Sequence, residues 1–283
     1  MVELHSRKYG AELYDGRIRL VGQASSTGRR TIDFLKDLPI ESVGDEDIDR
    51  EGSLYLAVPE KDAVIKRVKI SPDRSLDPDK LAQFELVASL LDEDDNYYLE
   101  SYEINGGRER LAVAYRRREI DQQLDFMQTR LIKPAGFKLR SWALAAGYTN
   151  YCSHEGGRLV CLIDITDHLA SYCFVEDKQP IHLGSVVSNA AVNEDDPAST
   201  RAYILDIVAT IQYQMLTYDK LSQTVPLSSI IITGNCCRQE LAEGIENIIG
   251  INTTLPIMRP ELFSKDVFPE AHKFLVGLGL TAD

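Results

Sequence analysis

LVCLIDITDHLASYCFVEDKQPIHLGSV, residues 159–186, is the stretch on which the fold turns. It reads as three short strands joined by two tight turns. An acid, Asp164, and a hydroxyl, Thr166, stand at the first turn. Such a turn is either a loop that holds a nucleotide phosphate or the plain edge of a sheet, and the flanking sequence has to decide between them.

Downstream comes an acidic, turn-rich loop, NAAVNEDDPAS at 189–199, and then the longest helical pattern of the chain, Thr200–Asp219. Ile204, Ile207, Val208, Ile211, Met215 and Leu216 are expected on its apolar side. Ser228–Thr233 reads as a buried strand feeding a helix with Leu241, Ile245, Ile248 and Ile249, which Gly250 ends as a C-terminal cap.

Upstream, Tyr9–Leu13 and Arg17–Gln23 flank Asp15-Gly16, a pair suited to the positive φ angles of a two-residue hairpin. Thr31–Leu38 reads as a short helix and 44–52 as an acidic loop. Leu54–Val58 and Ala63–Ile70 read as strands around a turn at 59–62. Asp77 caps a helix with Pro78 at its first position, and Leu81, Phe84, Val87, Ala88 and Leu91 are expected on its buried side. Tyr97–Ile104 and Arg110–Tyr115 pair around Asn105-Gly106-Gly107, and a helix bearing Ile120, Leu124, Met127 and Leu131 follows. The segment 54–133 is thus strand–strand–helix–strand–strand–helix, a small α+β unit inside a larger α/β chain.

The 283 residues suffice for a substantial core, and 44% apolar with 27% charged residues fits a globular protein. A net charge of −13 argues against a nucleic-acid partner, whose phosphates require a basic face. Arg116–Arg118, the compact basic cluster, reads as a solvated helix start. MVELHSRKYG lacks the apolar core of a signal peptide, and no stretch has the roughly 18 apolar residues of a membrane span. Five cysteines, all between Cys152 and Cys237, do not form a disulfide framework, so a reduced, cytoplasmic protein is expected.

Chemical motifs are few. No P-loop and no Gly-x-Ser-x-Gly turn is present. Gly277–Ala282 fits a loose dinucleotide pattern, but no helix follows to receive a pyrophosphate, so it reads as a helix-packing end. In two calcium-like loops, 45–56 and 92–103, Arg50 and Tyr97 occupy the position that needs glycine. Cys152, His154, Cys161, His168 and Cys173 lack the paired spacing of structural zinc, and Cys236-Cys237 has no sequence-local partner for catalysis. No catalytic residue and no metal ligand is singled out.

Longer segments carry a resemblance. LAVPEKDAVIKRVKIS (56–71), LAQFELVASLL, RLAVAYRRREIDQQLDFMQTRLIKPAGFKL (110–139), SIIITGNCCRQELAEGIENIIGI (229–251) and AHKFLVGLGL (271–280) are similar in layout to the PilM proteins of type IV pilus assembly, relatives of the cell-division protein FtsA. The resemblance implies an actin-like (ribonuclease H-like) fold, mixed sheets flanked by helices. A first lobe would comprise residues 1–52, 134–158 and 271–283, the inserted subdomain 53–133, and a reduced second lobe 159–270.

The resemblance also locates the nucleotide loops and shows where they depart. The family's first hairpin reads approximately GIDIGSSSIKVV; here GAELYDGRIRLV (10–21) puts Glu12 at the acid and Tyr14 at a glycine. The second loop, normally Asp-Ile-Gly, is Asp164-Ile165-Thr166, and the Gly-Gly of the adenine-side loop is Gly234-Asn235. Glycine there lets the backbone approach phosphates without a Cβ in the way. Only Ser185–Ser199 joins the third strand to the long helix, where nucleotide-binding members insert a helical subdomain.

Glu12, Asp164, Thr166, Gly234 and Asn235 are therefore the candidate, ancestral nucleotide positions. The expectation is a non-catalytic scaffold of a pilus-like or type II secretion-like inner-membrane assembly. It would hold the cytoplasmic tail of a bitopic membrane partner and so sit at the inner membrane without a span of its own. An assembly ATPase and a second copy of the chain are further partners the resemblance implies. No cofactor is expected on this reading; a switch or weak ATPase binding ATP and magnesium is the competing one.

Overall fold

In a computed structural model, the structure describes all residues except 1–6, 15, 27–28, 45–46, 50–51, 71–76, 91–95, 129–133, 154–157, 194, 218–224 and 283, and omits the side chains of 26, 29, 105 and 126–128. The chain opens with β1 (Arg7–Tyr14), β2 (Arg17–Ser26), β3 (Arg29–Pro39) and β4 (Ser53–Val58). A single 3-10 turn at Glu60–Asp62 leads to β5 (Ala63–Lys69), α1 (Pro78–Val87), β6 (Tyr97–Ile104), β7 (Glu109–Arg116) and α2 (Arg117–Gln128). Next come β8 (Pro134–Leu139) and α3 (Arg140–Tyr151), then the meander β9 (Leu159–Ile165), β10 (Leu169–Glu176) and β11 (Gln179–Val187). Last are α4 (Pro197–Thr217), β12 (Ser229–Thr233), α5 (Gln239–Ile249), β13 (Thr253–Thr254) and α6 (Leu275–Thr281).

Two five-stranded mixed sheets carry the molecule, ordered β3-β2-β1-β4-β8 and β11-β10-β9-β12-β13. In each, a hairpin-linked antiparallel trio continues into parallel strands. The turn between β10 and β11 places Asp177 and Lys178 at φ 48° and 69°, the positive pair that a two-residue hairpin with right-handed strand twist requires.

Helices α3 and α6 fill the layer between the sheets. Their side chains share one core with Val21 and Val58 of the first sheet and Val160, Leu162 and Cys173 of the second. The outer face of the second sheet packs on α4 and α5, and that of the first is covered by Val43 and Ile48. Alternation along β9 makes the division: Val160 and Leu162 face the central layer, Cys161, Ile163 and Ile165 the outer one. Cys161 and Cys173 therefore lie on opposite faces of one sheet and cannot share a metal ion; His154 is outside the described residues.

Close packing explains the glycines of the last helix. A Cβ on Gly279 would stand 1.7 Å from the Ala143 carbonyl oxygen, and one on Gly147 2.0 Å from that of Leu275. Only bare backbone lets α6 lie this near α3. The pattern at 277–282 is a packing surface.

Four sequence expectations need correction. Thr31–Leu38 is not helical: Ile32, Leu35 and Leu38 have helical spacing, but pairing along the whole of β2, with a register shift between Gly22 and Gln23, decides for strand β3. Ser53–Val58 does not belong to the inserted unit, because β4 pairs with β1 and β8 in the first sheet. The three-stranded sheet β5-β7-β6 forms that unit with α1. Asp77 caps α1 as expected, accepting from the Asp79 amide at 2.9 Å, but the helix buries Ala82 and Leu86 and turns Phe84 outward. On α4, Leu216 faces solvent rather than the core. Leu91, Met127 and Leu131 fall outside the described side chains.

Candidate functional site

β1 and β9 are the first strands of their sheets, and each ends with an acid aimed into the central layer. Glu12 shares the inner face of β1 with Gly10, and Asp164 shares that of β9 with Val160 and Leu162. Both are fully buried, at 1% and 0% exposure. Isolated carboxylates at such depth would be neutral or strongly destabilising, so the neighbouring groups decide their state.

Two arginines meet them. Arg19 is the cross-strand partner of Glu12 in the first hairpin, and Arg140 opens α3. Arg19 Nη2 donates to Glu12 Oε2 at 2.7 Å. Arg140 donates to Asp164 Oδ2 from Nε at 2.8 Å and Nη2 at 2.5 Å. Cross-pairs close the set: Arg140 Nη2 lies 3.2 Å from Glu12 Oε2, and Arg19 Nη2 3.6 Å from Asp164 Oδ1. Glu12 Oε1 also accepts the Gly277 amide, and Arg19 Nη1 donates to the Lys273 carbonyl. A cation at the first turn of α3 opposes the helix dipole; Arg140 is held there by two carboxylates.

Burial acts to lower both guanidiniums, yet the attraction of Asp164 and Glu12 outweighs it and both are raised. Burial pushes Glu12 up, against the pull of Arg19 and Arg140. Two carboxylates face two guanidiniums, so the charges pair within the quartet, while Asp164 Oδ1 and Arg19 Nε are buried without a hydrogen bond among the described residues.

The positions where the family places glycine are filled by side chains with other duties. The Tyr14 ring lies over the Arg19 guanidinium, 5.3 Å from its carbon, and the Tyr14 hydroxyl donates to Asp37. Thr166 closes its own turn: its Oγ1 donates to the Leu169 carbonyl at 2.8 Å, while its carbonyl accepts the Tyr203 hydroxyl at 3.0 Å. Gly234, at φ 106°, packs against β9 so closely that a Cβ would come 2.2 Å from the Ile165 oxygen. The Asn235 Oδ1 is buried without a hydrogen-bond partner.

The structure thus gathers the five sequence candidates around the ends of β1, β9 and β12. It adds Arg19 and Arg140, which sequence reasoning did not select. Arg19 was within reach, since the Asp15-Gly16 turn fixes Glu12 opposite residue 19. Arg140 carried no local signal.

This donor set does not fit a magnesium-bound nucleotide. Both carboxylates are hydrogen-bonded to guanidiniums, and a tyrosine ring and a threonine side chain stand at the positions where the resemblance would put bare backbone beside phosphates.

Two further features border the quartet. Glu60 of the 3-10 turn, fully buried, accepts the Ser141 amide and the Ser171 hydroxyl, both at 2.7 Å, and so ties the inserted unit to α3 and β10. Burial pushes its carboxyl up, against these bonds. Beside it opens a cleft of about 340 Å³, lined by Tyr14, Arg140 and Thr166 of the site itself and, among others, by Leu13, Leu169 and Val187. No helix among the described residues is long and apolar enough to cross a membrane.

Neither a protein-family sequence model nor a curated protein sequence matches the chain. Solved structures do. A chain of the PilM–PilN type IV pilus biogenesis complex is similar over 96% of this chain and 97% of its own, at 15% identity and a TM-score of 0.70. A Bacteroides thetaiotaomicron protein with an actin-like ATPase fold and unknown function is similar over 100% of both chains, at 9% identity and a TM-score of 0.57. The inserted three-stranded unit, the two mixed sheets and these likenesses together show an actin-like fold, similar in structure to the chain of the PilM–PilN complex.

Proposed function

We propose that this protein is a non-catalytic scaffold of a type IV pilus-like or type II secretion-like inner-membrane assembly. Its task is to hold the short cytoplasmic tail of a bitopic membrane protein, and that partner keeps it at the inner membrane. The observation that carries the reading is the quartet Glu12–Arg19–Arg140–Asp164, which fills with protein charge the place where an actin-like fold would bind phosphates. The likeness to the PilM–PilN complex supports the choice of system.

The cleft beside the inserted unit suits a tail. Leu13, Ile40, Leu169 and Val187 offer an apolar lining, and Arg17, paired with Asp37, stands at its border with Lys61 and Asp62. Val187, 66% exposed at the end of an edge strand, is a large apolar side chain with little cover. A photo-cross-linker in place of Val187, used in native cells, is expected to capture a membrane protein. A wholly soluble protein with no adduct would overturn the proposal.

One observation favours the competing reading, an ATP-binding switch: Asn235 Oδ1, next to Gly234 in the loop that the resemblance puts on the adenine side, has no partner among the described residues. An Asp164→Ala variant that bound ATP as well as the parent would dismiss it.

A further inference from the structure

Helix α4 has two charged residues among 21, Arg201 and Asp206, and none from Ile207 to Thr217. The chain as a whole is 27% charged. A surface helix ordinarily turns a strongly charged face outward; the uncovered side of α4 has few charges and several apolar side chains. Tyr203, Ile204, Ile207, Val208 and Ile211 are buried against the second sheet. Leu205, Tyr213 and Leu216 are 47%, 62% and 81% exposed. The outer side reads Ala202, Leu205, Ala209, Gln212 and Leu216, steps of three and four residues that form a heptad seam.

We propose that this face binds a second copy of the chain, with two α4 helices antiparallel about a two-fold axis at Ala209. A two-fold interface must be self-complementary, and the seam is so about that residue. Ala202 meets the partner's Leu216, small against large. Leu205 meets the partner's Gln212 and Tyr213, and Ala209 meets its own copy, where two methyl groups let the helices approach. Parallel pairing would instead set Leu216 on Leu216 and Ala202 on Ala202, a wide layer at one end and a narrow one at the other, so the helices could not stay evenly spaced.

Charge points to the same face. Copies carrying −13 each repel, and the acid-free seam is where contact costs least. The one acid in the exposed stretch, Asp206, already accepts the Ser188 hydroxyl at 2.5 Å. A 21-residue helix is about 31 Å long, so a pair buries on the order of 1,000 Å², the lower bound of a specific interface. The dimer is therefore weak and reversible.

Sedimentation velocity on the full chain is expected to show a monomer–dimer equilibrium at roughly tens of micromolar. The dimer fraction should increase as salt screens the repulsion. Leu216→Glu, at an exposed position, should leave thermal stability unchanged and weaken the dimer at least tenfold. Register is tested by oxidation. All five native cysteines are buried, so Ala209→Cys should give a covalent dimer. Ala202→Cys should not, because the axis holds its two copies about 21 Å apart, against a Cα reach of about 7 Å for a disulfide. A monomer at every concentration, a dimer indifferent to Leu216→Glu, or equal cross-linking from both cysteine variants would overturn the proposal.

Discussion

Asp164→Asn removes one charge from the quartet and almost no volume. Arg140 then faces Glu12 alone at 3.2 Å, while Arg19 already holds that carboxylate at 2.7 Å. One guanidinium is left under-compensated in the central layer. Breaking a buried ion pair by removing one partner costs about 3–5 kcal/mol. For a chain of this size that is a fall in Tm of roughly 10 °C. Replacing both partners, Asp164→Leu with Arg140→Met, removes two buried charges together and leaves the Arg19–Glu12 pair in place. Apolar substitution of such pairs is often neutral or stabilising, so the double variant should lie within about 2 kcal/mol of the parent.

The assay is urea denaturation. Trp142, the single tryptophan, is two residues from Arg140 and stacks on Tyr102 with centroids 4.6 Å apart, so its fluorescence reports the central layer. Far-ultraviolet circular dichroism serves as the second probe, because several cores need not melt as one. A residue kept for ligand chemistry commonly costs stability, and replacing it commonly stabilises. A loss under about 1 kcal/mol for Asp164→Asn, or a double variant as damaged as the two singles combined, would refute a structural quartet.

Glu60 gives a pH test. Its carboxyl is raised from an ordinary 4.5 by burial, so the folded chain keeps a proton that the unfolded chain has released. Its contribution to stability is full below 4.5 and is lost as pH rises through the folded value. Glu60→Gln should therefore gain on the parent as pH is raised from 4.5 to neutrality; a Tm difference independent of pH would count against this. Gly279→Ala drives a Cβ into the Ala143 carbonyl at 1.7 Å. It should cost about 3 kcal/mol in denaturant midpoint analysis, the upper end for overpacking, and a cost under about 1 kcal/mol would show that α6 can move away from α3.

Much of the fold is legible in the sequence because its signals are local. Gly16 at φ 72° turns the first hairpin, Gly250 at φ 74° ends α5, and Asp77 with Pro78 starts α1. What failed depended on distant partners. Residues 31–38 form a strand because β2 offers a full-length partner, and β4 joins the first sheet by parallel pairing with β1, which no turn encodes. The site divides the same way. Glu12, Asp164 and Thr166 are placed by motif position, and Arg19 follows from hairpin register. Arg140 stands 24 residues from Asp164, and only the packing of α3 between the sheets joins them.

Calorimetric titration of the folded protein with ATP and magnesium is the most direct test of a nucleotide site closed by its own charges. No binding tighter than about 100 μM, roughly −5.5 kcal/mol, is expected from protein whose Trp142 fluorescence is native. Tighter binding would contradict the closed quartet: Arg19 and Arg140 would have to release Glu12 and Asp164 to admit the ligand.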